Sequence, residues 1–244
     1  MEKMPSYQGP DPEKIRSMFA KVAGKYDLAN SVLSAGVHHL WRRKLVQLAQ
    51  IQKGQKILDC ATGTGDLAIA LAKATGPQGQ VQGTDFCVEM LDSAPSKARN
   101  QGVTVEFSQA DVMALPFVDQ QFDVATISFG IRNVSDPVQG LREMARVVKP
   151  GGLVLVLEFG QVTWPGLASI YNFYSTKILP QIGGLVTGQG SAYEYLQTSS
   201  QKFPSGESFL HLMQQTGLLS DLEAFPLTFG VASIYRARRM GGAK

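Results

Sequence analysis

The chain has 244 residues, which allows one α/β domain with elaborations or two small domains, at roughly 100–200 residues per domain. Hydrophobic residues make up 44% and charged residues 18%, a balance that excludes disordered, collagen-like and disulfide-dense proteins. The net charge of +3 is too small to indicate a nucleic acid as partner.

The ends of the chain and its cysteines indicate a cytoplasmic protein. The N-terminal segment has no apolar core behind its charges, which argues against a secretory signal, and no stretch reaches the ~18 apolar residues that span a membrane. Cys60 and Cys87 have neither the spacing nor the neighbours of a disulfide framework or a metal cage. We expect a flexible N-terminus over 1–10, one domain over 11–236 and a basic tail over 237–244, either solvated or touching anionic lipid headgroups.

Helical segments precede the first predicted strand. Trp41, Leu45 and Leu48 recur at spacings of three to four residues, which predicts a helical cap over 11–50. From Lys56 onward, β-type runs alternate with amphipathic segments, a pattern typical of a parallel sheet covered on both faces. In chain order, the predicted elements are strand 56–60, helix 64–75, strand 80–85, helix 88–100, strands 103–109 and 122–129, helix 138–148, strand 152–159, helix 207–216 and strands 219–226 and 227–235. We therefore predict a doubly wound α/β sheet of seven strands, with the last strands antiparallel.

An apolar, aromatic segment follows the fifth predicted strand. From Phe159 to Tyr193 the only charged residue is Lys177, and six aromatic side chains occur over the same stretch. Such a composition favours burial or contact with another apolar surface. We predict that residues 159–205 form an insertion on the substrate side; a plain buried cap or the interface of a homodimer is the alternative.

A glycine-rich loop follows the first predicted strand. Gly63-x-Gly65-x-x-Ala68 satisfies the dinucleotide fingerprint, and Asp85 lies 20 residues after Gly65, where a ribose-binding acid belongs. The glycines permit close approach to a ligand, and the carboxylate can accept two hydrogen bonds from vicinal hydroxyls. An NAD-dependent oxidoreductase and a non-catalytic nucleoside-binding protein are therefore open alternatives.

Carboxylates around this loop favour a cationic ligand. Asp59 ends the first strand and Asp66 follows the loop, although Asp66 is equally well explained as a first-turn acid of the next helix. S-adenosylmethionine carries an ammonium and a sulfonium, whereas a dinucleotide carries a pyrophosphate anion. Asp111, after the third strand, is placed to meet an adenine amino group or to cap a helix.

The ordered motifs resemble those of class I S-adenosylmethionine-dependent methyltransferases. They are Asp59-x-x-Thr62-Gly63-Thr64-Gly65, Asp85, Ala110-Asp111, Leu115-Pro116-Phe117 and Lys149-Pro150-Gly151-Gly152. A narrower resemblance, to the ubiquinone/menaquinone-biosynthesis C-methyltransferases, covers residues 12–236. It is carried by Tyr26-Asp27-x-x-Asn30-x-x-Leu33-Ser34-x-Gly36-x-His38-x-x-Trp41, by Ser128-Phe129-Gly130-Ile131-Arg132-Asn133-Val134, and by Arg146-Val147-Val148-Lys149-Pro150-Gly151-Gly152 with Glu158-Phe159. The chain departs from the usual pattern at Ala29, Thr62 and Gly160.

This resemblance implies a Rossmann-like methyltransferase fold, S-adenosylmethionine as cofactor and no metal. The implied reaction is C-methylation of a prenylated quinol, demethylmenaquinol to menaquinol. A benzoquinol precursor of ubiquinone, or another small molecule, is the alternative substrate. The implied cofactor-binding residues are Asp59, Thr62, Gly63, Thr64, Gly65, Asp85, Asp111, Val112 and Ser128.

Two polar residues are the predicted catalytic groups. Transfer of a methyl group to a ring carbon requires alignment in a dry pocket and stabilisation of a phenolate. Arg132 and Asn133 follow the fourth strand, at the carboxyl end of the sheet, where ligands bind in doubly wound folds. We predict that Arg132 stabilises the phenolate and that Asn133 donates to it or positions a water; a structural pair of Arg132 with Asp136 is the alternative.

Aromatic residues are assigned to the substrate side. By resemblance, Tyr26 and Asp27 are predicted lid contacts over the sulfonium. Tyr171, Phe173 and Tyr174 are predicted to line an apolar groove for the prenyl tail, in an insertion that transiently touches the membrane surface. The histidines do not cluster with carboxylates or cysteines at ligand spacing, so we expect core or surface roles for them.

Overall fold

Seven strands form one mixed sheet at the centre of the fold. The computed structural model describes residues 9–162, 164 and 166–241, so most of the predicted flexible N-terminus and the last three residues of the predicted tail lie outside the described residues. The strands are β1 (Lys56–Cys60), β2 (Gln80–Asp85), β3 (Glu106–Gln109), β4 (Phe122–Ser128), β5 (Val148–Phe159), β6 (Leu219–Leu227) and β7 (Ala232–Arg239). Their spatial order is β3-β2-β1-β4-β5-β7-β6.

The predicted doubly wound sheet is confirmed. Strands β1 to β5 pair in parallel, and β7 pairs antiparallel with both β5 and β6. Of the last strands, only β7 therefore runs against the rest, because it lies between β5 and β6 and two reversals return β6 to the common direction. The chain order reverses between β1 and β4, and ligands bind at the carboxyl ends of strands at such a switch point.

Eleven helices lie among the described residues. They are α1 (Pro12–Val22), α2 (Tyr26–Leu33), α3 (Val37–Leu48), α4 (Asp66–Thr75), α5 (Val88–Leu91), α6 (Ala94–Asn100), α7 (Pro137–Val147), α8 (Leu167–Phe173), α9 (Leu179–Thr187), α10 (Gly190–Lys202) and α11 (Glu207–Gln214). Asp11 and Asp136 cap α1 and α7 by accepting from backbone N–H groups, and each is followed by a proline in the first turn. The single helix predicted over 88–100 is instead the pair α5 and α6, because Pro95 has no N–H to continue a helix.

Helices cover both faces of the sheet. On one face, Leu141 and Met144 of α7 pack with Phe209 of α11. On the other face, Leu45 of α3 and Leu71 of α4 pack against the opposite sides of the same strands. Burial on both faces explains why the central strands are continuous apolar runs rather than alternating ones.

The regions flanking β5 and β7 position the substrate side and close the sheet. Helices α8 to α10, with a π-helical turn at Tyr174–Ile178, occupy most of the predicted insertion. Strand β7 continues to Arg239, so the predicted domain end at 236 is corrected: Arg238 donates to the carbonyl of Gly151 and Arg239 to that of Ala145. These arginines belong to the end of β7, which is paired on both sides within the sheet, rather than to a solvated tail.

Candidate active site

Asp85 fixes the glycine loop. At the end of β2, its Oδ2 accepts from the N–H of Gly63 at 2.8 Å and its Oδ1 accepts from the N–H of Cys87 at 2.9 Å. Burial raises the pKa of Asp85 to about 6, although these backbone donors act against the shift. Gly65 has a φ of +85°, and a Cβ there would lie 2.9 Å from the ring of Phe107, so a side chain at this position would be strained.

Asp59 stabilises the glycine loop through buried hydrogen bonds. It is 1% exposed and accepts hydrogen bonds of 2.6 Å from the hydroxyls of Thr62 and Thr126. Burial raises the pKa of Asp59 to about 6. Asp59 and Thr62 do not line either of the cavities described below, so the structure gives them a positioning role for the loop that would bind the ligand.

A cavity of about 110 Å³ lies at the switch point between β1 and β4. Among the predicted cofactor residues, it is lined by Gly63, Asp85, Asp111, Val112 and Ser128. The buried hydroxyl of Ser128 has no hydrogen-bond partner among the residues that the structure describes, so a ligand is its natural partner. Asp111 accepts from the N–H of Met113 at 2.8 Å and so stabilises a turn rather than capping a helix. Two carboxylates and a spare hydroxyl around one small cavity fit the ribose and adenine of S-adenosylmethionine.

Asp27 and Thr64 belong to an ion-pair network beside this cavity. Thr64 Oγ1 donates to Asp27 at 2.6 Å, and Lys97 of α6 contacts Asp27, Thr64 and Asp66. Arg42 of α3 also pairs with Asp66, at 2.7 Å. Burial alone would raise the pKa of Asp66, but Arg42 and Lys97 lower it below its ordinary value.

This network bears on two of the carboxylates considered from the sequence. Two cations already balance Asp66, so its charge is no argument for a cationic ligand. Asp27 ties α2 to the glycine loop and lines neither cavity, so its role as a lid contact stays a prediction.

A larger cavity of about 280 Å³ lies next to the first. The two share Phe19, Tyr26 and Phe129 as lining residues, so they are adjacent compartments of one site. Phe129 has a φ of +56°, a conformation that non-glycine residues rarely adopt and that concentrates at functional sites. The predicted lid residue Tyr26 therefore lies where the two compartments meet.

Two of the three aromatic residues predicted for the tail line the larger cavity. Tyr171 and Tyr174 do, and the Tyr174 hydroxyl donates to the carbonyl of Leu33 at 2.6 Å, which joins the insertion to α2. Burial raises the pKa of Tyr171 to about 12, so its hydroxyl stays protonated near neutral pH. Phe173 is 61% exposed and does not line the cavity, because the helix places its side chain on a different face from those of Tyr171 and Tyr174.

Arg132 forms a buried ion pair with Glu158. The residues are 4% and 1% exposed, and Arg132 Nη1 donates to Glu158 Oε1 at 2.9 Å and to the carbonyl of Phe129 at 2.5 Å. The guanidinium also lies 5.3 Å from the centroid of the Phe159 ring. The alternative pairing with Asp136 is not observed, since Asp136 caps α7.

The two predicted catalytic residues face different compartments. Arg132 lines the larger cavity and Asn133 the smaller one. Asn133 Oδ1 accepts from the hydroxyl of Tyr195 at 3.0 Å, which fixes the orientation of the amide. Asn133 is thus better placed for the cofactor than for the substrate ring.

Several residues of the site carry no sequence signal for their role. Glu158 is part of a motif without a predicted function, and Tyr195 lies outside every motif. Trp41, Phe129 and Phe159 form one aromatic cluster, with ring centroids 6.0 Å and 4.5 Å apart. The spacing of residues along the chain carries no signal for these contacts, which join α3, the loop after β4 and the end of β5.

Both cysteines are buried, and burial raises the pKa of each thiol, to about 12 for Cys87. Within residues 9–162, 164 and 166–241, no three His, Cys, Asp or Glu side chains are grouped to hold a metal. In the same part of the chain, no helix has the length and hydropathy to cross a membrane.

Comparison with known proteins identifies the family. Residues 8–239 match the ubiE/COQ5 methyltransferase family. The chain belongs to this family. A Bdellovibrio bacteriovorus protein named ubiquinone/menaquinone biosynthesis C-methyltransferase UbiE is 58% identical over 231 residues, 95% of this chain and 98% of the relative. A Cupriavidus metallidurans protein of the same name is 42% identical over 226 residues, 93% of this chain and 92% of that protein.

Solved structures agree with this fold. A S-adenosylmethionine-dependent methyltransferase from Aquifex aeolicus superposes with a TM-score of 0.57 at 17% identity, covering 95% of this chain and all of that one (100%). The cyclase SpnF superposes with a TM-score of 0.63 at 18% identity, covering 98% and 100%. Membership of the ubiE/COQ5 family makes this chain a S-adenosylmethionine-dependent methyltransferase, so the dehydrogenase and the non-catalytic alternatives are rejected.

Proposed function

We propose that this ubiE/COQ5-family enzyme methylates a ring carbon of a prenylated quinol. The first candidate substrate is demethylmenaquinol. The names of its relatives support a quinone-ring substrate but cover both the menaquinone and the ubiquinone pathway. A benzoquinol precursor is therefore the second candidate. The observation that carries the proposal is the adjacency of a small cavity edged by carboxylates and a larger aromatic cavity, which share Phe19, Tyr26 and Phe129.

The smaller compartment would hold the cofactor. S-adenosylmethionine supplies an electrophilic methyl group when bound. The carboxylate of Asp85 is placed to accept from the ribose hydroxyls, and that of Asp111 from the adenine amino group. The buried hydroxyl of Ser128 would form a hydrogen bond with the ligand. The aromatic residues shared with the larger compartment exclude water from the place where the two ligands meet.

Arg132 is one of two arginines that line the larger compartment, the other being Arg42, which pairs with Asp66. A hydroquinol ring carbon becomes nucleophilic as a phenolic oxygen loses its proton and pushes negative charge onto the ring. The guanidinium of Arg132 would lower the energy of that charge by donating its N–H groups to the phenolate oxygen. Glu158 balances the formal charge of Arg132, so the stabilisation comes from these directed donors in a largely apolar cavity rather than from a net positive charge. Glu158 and the ring of Phe159 hold the guanidinium at this wall.

The substrate is tested by mass spectrometry of the quinones in a strain that lacks this gene. Accumulation of demethylmenaquinone, and its loss when the gene is restored, is the expected result. Accumulation of a demethylated benzoquinone would select the second candidate. An unchanged quinone profile would refute a quinol substrate altogether.

We further propose that the insertion contacts a membrane surface to reach a lipid substrate. Apolar side chains are exposed on the helices around the larger cavity: Leu28 and Val32 on α2, Phe173 on α8 and Leu185 on α9. Helix α2 packs against α9, so these side chains belong to one region of the molecule. Leu185 is 87% exposed, and burial of this apolar side chain against another apolar surface would be favourable.

Sedimentation with phospholipid vesicles tests this contact. Leu185→Asp should reduce the bound fraction, whereas Val118→Asp, an equally polar change at a side chain 71% exposed elsewhere, should not. Equal binding by both variants would refute the contact. A change in molecular mass of Leu185→Asp in light scattering would assign this face to the predicted homodimer instead.

A further inference from the structure

His38 lines the larger cavity but has no role in the reaction as described so far. It lies near the start of α3, is 5% exposed, and was expected from the sequence to have a core or surface role. The cavity wall that holds it also includes Arg42 and Arg132, so one imidazole and two arginine side chains border the same space.

The hydrogen bonds of Ser34 determine the tautomer of His38. Ser34 Oγ lies 2.7 Å from the carbonyl oxygen of Asn30 and 2.5 Å from His38 Nδ1. A carbonyl oxygen cannot donate, so the single hydroxyl proton of Ser34 must point to Asn30. His38 Nδ1 must then carry a proton and donate it to Ser34, which leaves Nε2 as an acceptor with a lone pair.

The surroundings of His38 keep the ring neutral. Burial, together with Arg42 and His39, lowers its pKa to about 4, while Asp66 and Asp27 act in the opposite direction. Arg42 lies one helical turn along α3, and the ring of His39 lies against that of His38 with centroids 3.9 Å apart and the planes tilted by 39°. The imidazole is therefore unprotonated at Nε2 across the physiological pH range.

We propose that His38 Nε2 accepts a hydrogen bond from a ring hydroxyl of the substrate and thereby selects the reduced quinol over the oxidised quinone. The inference rests on the proposed quinol substrate. A quinol oxygen carries a proton to donate, whereas a quinone oxygen presents only lone pairs, which the lone pair of Nε2 repels. Arg132 donates and does not accept, so it cannot make this distinction by itself. His38 is thus a specificity-determining residue that fixes the redox form and the orientation of the ring.

The experiment measures binding rather than turnover. Affinities for 1,4-naphthoquinol and 1,4-naphthoquinone are determined anaerobically by calorimetry, on the full chain saturated with S-adenosylhomocysteine so that no methyl transfer occurs. The loss of one hydrogen bond, with an acceptor left facing an acceptor, is worth roughly tenfold in affinity. We expect the wild type to bind the quinol at least about tenfold more tightly than the quinone.

Two variants and a control test the mechanism. His38→Leu should bring the ratio of the two affinities close to one, and His211→Leu, the same change at an exposed histidine on α11, should leave it unchanged. Ser34→Ala keeps the imidazole but releases Nδ1, so the proton can move to Nε2 and the quinone should gain affinity. A role of His38 in packing alone would not produce this gain.

The outcomes separate this inference from the proposed function. Equal affinities for quinol and quinone in the wild type, or an undiminished preference in both folded variants, would overturn the role of His38 and leave the quinol substrate standing. Binding of neither form by the wild type would overturn the quinol substrate and this inference with it. Melting temperatures show whether His38→Leu folds, and if it does not, Ser34→Ala decides the question.

Discussion

The ion pair between Arg132 and Glu158 allows its effects on stability and on turnover to be separated. Both residues are nearly fully buried, and Glu158 Oε1 also accepts from the N–H of Phe159 at 2.9 Å. Arg132→Met leaves the carboxylate buried without its cation, a change that costs about 3–5 kcal/mol of folding free energy. At about 2–4 °C per kcal/mol for a chain of this size, the melting temperature should fall by roughly 6–20 °C.

A second substitution should restore the fold but not the activity. In Arg132→Met/Glu158→Gln neither charge remains, and the amide oxygen of glutamine still accepts from Phe159. Most of the lost stability should therefore return, since replacing both members of a buried pair is often close to neutral. Turnover should stay low because the guanidinium at the cavity wall is gone. Urea denaturation and methyl transfer to a tail-less naphthoquinol, both on the same preparations, provide the two measurements.

Two results would refute this reasoning. A double variant as unstable as Arg132→Met would show that the stranded carboxylate is not the cause of the instability. A double variant with turnover close to that of the wild type would show that Arg132 serves only the fold, so that the phenolate must be stabilised by another group.

Three further predictions concern the cofactor and the tail. Asp85→Asn should lose about 1.5–3 kcal/mol of S-adenosylmethionine binding in calorimetry at pH 8, where the wild-type carboxylate is ionised. The affinity of the wild type for S-adenosylmethionine should also fall as the pH drops through about 6, the raised pKa of Asp85. If Asp85→Asn shows the same pH dependence as the wild type, the assignment of Asp85 to the ribose is wrong. Lys97→Met should weaken cofactor binding several-fold, because it leaves carboxylates unpaired beside the glycine loop. Lys73→Met, on the exposed face of α4, should leave cofactor binding unchanged, and equal effects of the two variants would show that the ion-pair network does not support the cofactor site. Tyr171→Ala should raise KM for long-tailed quinols more than for tail-less ones, by a factor equivalent to about 2.5 kcal/mol for ~100 Å² of lost contact. Val118→Ala, at an exposed side chain that lines neither cavity, should leave both KM values unchanged, and equal effects of Tyr171→Ala on the two substrates would contradict a tail route through the cavity.

The sheet and the glycine loop could be predicted because their signals are local. An apolar run such as 153–157 indicates a buried strand without knowledge of its neighbours. The break before α6 also has a local signal, since Pro95 cannot continue a helix. The pairing of Asp66, in contrast, has no local signal. Its partners Arg42 and Lys97 come from helices 24 and 31 positions away along the chain, and no spacing rule brings them together.

Substrate choice depends on parts of the chain that sequence reasoning resolves least well. The cyclase SpnF matches 98% of this chain in fold, so the sheet alone does not specify the reaction. The larger cavity takes Tyr26 and His38 from the N-terminal helices and Tyr171 and Tyr195 from the insertion, while the sheet contributes mainly from the strand ends that carry Phe129 and Phe159. The N-terminal helices and the insertion therefore determine the size of the ring that the larger cavity accepts. A hydrogen bond from Tyr174 to the carbonyl of Leu33 joins the insertion to the N-terminal helices. Because Phe19 and Tyr26 of those helices also line the cofactor compartment, a change in the N-terminal helices can alter both compartments, whereas a change in the insertion alters the larger cavity alone.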